Sequence, residues 1–129
     1  MDTNRILYML ARFYMALIFI VAGVRKVMGY EGTVKYFGGI GLPMPEIVAP
    51  LVMLIEIGGG LLLLFGFRTE IVAWILALFT AGAALIAHQF WAVDAAQFGN
   101  QLNNFLKNLA MVGGFLAIIV IERNRVPRR

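Results

Sequence analysis

Cysteine is absent from the chain. That excludes disulfides, thiol chemistry and iron–sulfur ligation by its own side chains, and it leaves the redox compartment unread. Serine is absent too, which excludes a serine nucleophile. Histidine occurs once, at His88, so a closed zinc site or a bis-histidine haem site on this chain is not expected. No metal is expected. No phosphate loop, dinucleotide fingerprint or nucleophile elbow is present. Charge is scarce as well: 14% of residues are charged and 61% are hydrophobic, where soluble domains run near 25% and 45–50%. Such a chain cannot cover itself with polar surface in water, so the reading is an integral membrane protein. The formal charge of +4 does not point to nucleic acid. Arg123, Arg125, Arg128 and Arg129 crowd the last seven residues, as in a basic tail flanking a membrane.

What the chain has in quantity is long apolar runs. Four of them, about 6–27, 46–66, 70–90 and 101–121, are each near the ~20 residues that cross a bilayer. The expected fold is all-α, an integral membrane four-helix bundle running up-down-up-down as a single transmembrane domain over residues 1–129. The first run does not read as a cleaved signal peptide. Arg12 interrupts it, and no small-residue cleavage site precedes Arg25 and Lys26. Residues 29–45 form a connector rich in glycine and aromatics, with a short interfacial turn or helix expected over 33–37. Pro43 and Pro45 suit the start of the second helix, and Pro50 is expected to kink it. Residues 67–70 allow only a tight turn, 92–100 read as a polar loop, Trp91 marks an interface, and 122–129 form the basic tail. Four spans put both termini on one side. Arg5, Arg68 and the tail arginines outweigh Lys35 on the other side, which favours termini inside. Arg25 and Lys26 dissent and are assigned to the site.

The second run is otherwise almost wholly apolar but carries Glu56 near its middle. A carboxylate at mid-depth costs at least ~2.5 kcal/mol on insertion scales. It must face inward, be paired, be protonated or line a wet cavity. Gly58, Gly59 and Gly60 follow it, and glycines let another helix approach closely. Arg12, Ala16, Phe19, Gly23 and Lys26 share one stripe of the first helix. In the third, Ala77, Ala81 and Ala84 lead to His88. In the fourth, Asn104, Lys107, Met111, Gly114 and Ile118 share a face. The candidate residues are therefore Glu56, Lys107 and His88 as the catalytic set. Arg12, Lys26, Glu56, His88, Asn104 and Lys107 are the ligand-holding set. Arg12 or Lys107 is the expected partner of Glu56. Each also has a plainer role: the charges fix helix packing or snorkel to the interface, and His88 and the asparagines solvate helix ends.

The order of these pieces resembles the DoxX family of small four-helix bacterial membrane proteins. The matching segments are F-I-V-A-G-V-R-K-V-M-G-Y at Phe19 to Tyr30, G-I-G-L-P at Gly39 to Pro43, and E-I-G-G-G-L-L-L-L-F-G-F-R-T at Glu56 to Thr69. His88 and N-F-L-K-N-L at Asn104 to Leu109 complete the set. The resemblance implies a multi-pass protein of the bacterial inner membrane. It also implies redox or quinone-linked work, because the family is named after a subunit associated with a quinone-reducing thiosulfate oxidoreductase. It carries no catalytic residue over to this chain.

Three readings follow. The first is an accessory or quinone-interacting subunit of a membrane oxidoreductase. It would hold a quinone or similar lipophilic ligand in a polar intramembrane pocket centred on Glu56, with partner chains carrying electrons. The second is a non-enzymatic membrane subunit whose buried charges fix the bundle or a homo-oligomer interface. The third is a small transporter or lipid-binding protein.

Overall fold

The computed structural model describes residues 1–125, and those residues are helical with no strand among them. Arg128 and Arg129 of the basic tail lie outside the described residues. The elements are α1 (Thr3–Met28), α2 (Tyr30–Gly39), α3 (Pro45–Phe65), α4 (Thr69–Ala87) and α5 (Ala95–Arg125). All but α2 are long and apolar enough to cross a membrane. The architecture is that of an all-helical membrane protein compatible with a helical bundle. The chain divides into two compact units, Met1–Val72 and Ala73–Arg129, with the boundary inside α4.

In the first unit, α1 starts where Asp2 accepts a hydrogen bond from the Arg5 N–H at 2.8 Å, an N-cap that satisfies one orphan donor. Its buried residues are Tyr8, Ala16, Phe19 and Gly23. Ala16, Phe19 and Gly23 fall on the stripe expected from the sequence, Tyr8 continues it one turn before Arg12, and that stripe faces α3. The two helices run antiparallel with very little side chain between them. A Cβ on Gly23 would lie 2.6 Å from Ile57 Cγ1 and 3.2 Å from the Ile57 nitrogen. A Cβ on Gly60 would lie 2.7 Å from Ile20 Cγ1 and 3.3 Å from the Ala16 oxygen. This is backbone-close packing of the small-residue kind.

The connector is more ordered than the short interfacial turn or helix expected over 33–37. It holds the ten-residue helix α2, tied to the end of α1 by Thr33, whose hydroxyl donates to the carbonyls of Gly29 (3.0 Å) and Lys26 (3.3 Å). Phe37 of α2 packs with Ala49 and Met53 of α3, flanked by Val34, Ile40, Val48 and Val52. Thus α1 covers the second half of α3 and α2 covers the first half. Pro50 sits inside α3 and has no N–H to give the Glu46 carbonyl four residues back. The Tyr30 hydroxyl donates to that carbonyl at 3.4 Å. α3 ends at Gly66, left-handed at φ 75°, with the Phe67 N–H reaching the Leu62 carbonyl at 3.0 Å. Glycine takes this conformation at no steric cost.

In the second unit, Ala73, Leu76, Ala77, Thr80 and Ala84 form the buried face of α4. α4 ends at Ala87 rather than about residue 90, and the Gln89 side chain caps the Leu85 carbonyl at 3.1 Å. α5 starts at Ala95 rather than about residue 101. Asp94 sets that start by accepting from the Gln97 N–H at 3.1 Å, which turns residues 95–100 of the expected polar loop into helix. α4 and α5 pair antiparallel through Trp74 with Arg123, Thr80 with Asn108, and His88 with Gln101. Beside the last pair, Phe90 makes edge-on ring contacts with Trp91, Phe98 and Phe105 at 5.1–5.9 Å.

Candidate functional site

Ala49, Met53, Glu56, Gly60 and Leu63 recur every three to four residues as the buried side of α3. Helical spacing therefore carries Glu56 into the seam with α1. Gly23 admits it there, since a Cβ on Gly23 would stand 3.1 Å from the Glu56 Cβ. One turn further along α1, Lys26 reaches both carboxylate oxygens, at 2.9 Å to Oε1 and 3.0 Å to Oε2. The two ends of this bridge differ in access: the side chain of Glu56 is 7% exposed and that of Lys26 is 27% exposed. The carboxylate is enclosed and held at both oxygens. The ammonium has three donors and uses two on the carboxylate.

The ion-pair partner of Glu56 is thus Lys26, where Arg12 or Lys107 was expected. The reason is register. α1 stops near the middle of α3 and α2 takes over, so the middle of one helix does not face the middle of the other. Arg12 lies ten residues of α3 away from Glu56, about 15 Å along the axis. Its guanidinium occupies the space that a side chain on Gly66 would fill, and it also sits over the Tyr8 ring at 5.1 Å. Arg25, beside Lys26 in sequence, is exposed.

His88, Asn104 and Lys107 belong to the second unit. His88 lies just past the end of α4, half-buried, with Nδ1 3.0 Å from Gln101 Oε1. With Nδ1–H donating there, Nε2 remains an acceptor. Gln101 was not singled out from sequence, and no local signal pairs it with His88. Asn104 is half-buried, whereas Lys107 is exposed and makes no hydrogen bond or ion pair among the described residues. The neighbouring Asn108 donates to the Thr80 carbonyl at 3.3 Å.

Residues 7–89 match the DoxX family model. The chain belongs to the DoxX family. That match spans α1 to the end of α4 and contains both Lys26 and Glu56, while the segment Asn104 to Leu109 lies beyond it. Inner membrane protein YphA of Escherichia coli is 35% identical over 115 residues, covering 89% of this chain and 82% of the relative. Inner membrane protein YqjF of the same organism is 42% identical over 112 residues, covering 87% and 81%. A Bacillus subtilis protein named "Putative oxidoreductase CatD" is 42% identical over 77 residues, 60% of this chain and 56% of that protein. No solved structure matches the chain. With four helices fit to cross a bilayer and DoxX relatives of this kind, the chain is a multi-pass inner-membrane protein.

Proposed function

We propose that this DoxX protein is the membrane subunit of a quinone-linked oxidoreductase. The Lys26–Glu56 pair is its ligand-facing group. The observation that carries the reading is the asymmetry of the pair: an enclosed acid holds a partly exposed lysine whose ammonium keeps one donor uncommitted. Intramembrane ionisable residues are functional candidates by default. A CatD relative named as an oxidoreductase supports the same class.

The residues suit a quinone. Its carbonyl oxygens need a donor in an apolar setting, and the third N–H of Lys26 supplies one. When bound, a quinone supplies two-electron, two-proton redox chemistry. Lys26 would hold and orient the carbonyl. Glu56 would keep Lys26 in place and charged, and would be the nearest group able to take or return a proton at that ammonium. The electrons come from a partner chain. The termini face the cytoplasm in this reading, so a C-terminal reporter active only outside the membrane would overturn that orientation.

A second reading has its own observation. The pair is bidentate and lies beside the Gly23 contact, as a bridge that merely locks α1 to α3 would. Replacing both partners with apolar residues of similar size separates the two. Such exchanges of buried pairs are often neutral for stability. The protein purified from membranes should carry quinone at near one per chain by mass spectrometry, and Lys26→Met/Glu56→Leu should stay folded and lose it. A folded double variant with unchanged quinone content, or a wild type holding bulk phospholipid alone, would leave the packing role standing.

A further inference from the structure

Arg12, another charge inside α1, has no such partner. Arg12 forms no hydrogen bond or ion pair among the described residues, and its Nε is buried without an acceptor. A charged group without an acceptor is costly to keep out of water, and the terminal N–H groups of this guanidinium, which are not among the buried atoms, call for an acceptor from outside the chain. Its location says which. α3 has 21 residues and rises about 31 Å, close to the hydrocarbon thickness of a bilayer. Arg12 lies against Gly66, the residue that ends α3. Its guanidinium is therefore at headgroup depth.

Two more arginines flank it. Arg68 follows Gly66 by two residues in the same turn, exposed and left-handed at φ 51°. Arg5 stands seven residues before Arg12, two turns away on the same side of α1, and is also exposed. No carboxylate oxygen lies within ion-pair reach of Arg12 or Arg68 among the described residues. Arginine forks match phosphate oxygens in a bidentate way that a lysine does not. The Tyr8 ring against Arg12 limits how far that guanidinium can swing.

We propose that Arg12 and Arg68, with Arg5 beside them, form a binding site for the phosphate of an anionic phospholipid. The site lies at the end of α1 and α3 remote from the Lys26–Glu56 pair, and it does not depend on the redox reading.

The test uses the full chain in nanodiscs, with native mass spectrometry counting retained lipid. Wild type should retain phosphatidylglycerol over phosphatidylcholine. Arg12→Gln should weaken that preference about tenfold, the scale of one charge-assisted hydrogen bond, and Arg12→Lys should restore only part of it. Arg12 also packs on Gly66, so Arg68→Gln, which removes an exposed side chain, guards against misfolding and should weaken the preference several-fold. Millimolar inorganic phosphate should not displace the lipid. Equal retention of the two lipids, an unchanged preference in Arg68→Gln or in a folded Arg12→Gln, or displacement of lipid by free phosphate would each overturn the proposal.

Discussion

The two antiparallel helix pairs of this molecule are built on opposite plans. α1 and α3 approach through glycine and alanine and are held by an ion pair gripping both carboxylate oxygens. α4 and α5 are joined by neutral amides, with one side chain to a backbone carbonyl at 3.3 Å and one glutamine to a histidine at 3.0 Å, and by a cluster of aromatic edges at one end. Inside a bilayer the hydrophobic effect does not distinguish helix from lipid, so packing and polar contacts decide association. The first pair concentrates that energy in one charged contact and its glycine seat. The second distributes it over several weaker ones.

The sharpest way to break this contrast is to remove one partner of the ion pair. Lys26→Met alone should cost about 3 kcal/mol, because the Glu56 carboxylate is left buried without compensation, and Glu56→Leu should cost less, because Lys26 is the more exposed partner. Unfolding in graded detergent mixtures would measure it. Next comes the glycine seam. Gly60→Ala should cost about 1–3 kcal/mol, as overpacking does when backbone must move. Phe90→Leu in the second unit keeps apolar bulk but removes the ring edges, and should cost about 1 kcal/mol. Asn108→Leu should cost only roughly 0.6 kcal/mol, the usual size of one hydrogen bond between membrane helices. Gly82→Ala should reverse the sign. A Cβ there meets open space, so the change should stabilise α4 by about 0.5–1 kcal/mol. Equal costs at Gly60 and Gly82 would erase the distinction between the two helix pairs.

The four spans, the inward face of Glu56 and the Arg12-to-Lys26 stripe were all legible in the sequence. Period and composition alone fix which side of a helix avoids lipid. The partner of Glu56 was not legible. Nothing local in α1 records that it is offset from α3 by half a span. Two smaller features did leave signals. Asp94 with Gln97 three residues on is a helix-start pattern, and it explains why α5 begins inside the expected loop. Pro50 leaves the Glu46 carbonyl without its helical donor, which Tyr30 supplies from α2. That tie helps make the connector a packed helix instead of an interfacial strap.

A double-mutant cycle on Lys26→Met and Glu56→Leu tests the central claim most directly, with unfolding free energy as the readout. A coupled buried pair predicts that the double variant recovers most of the stability lost in either single variant, with a coupling energy of about 2 kcal/mol or more. Additive losses would contradict it, for they would mean that the enclosed carboxylate and the lysine ammonium do not hold each other.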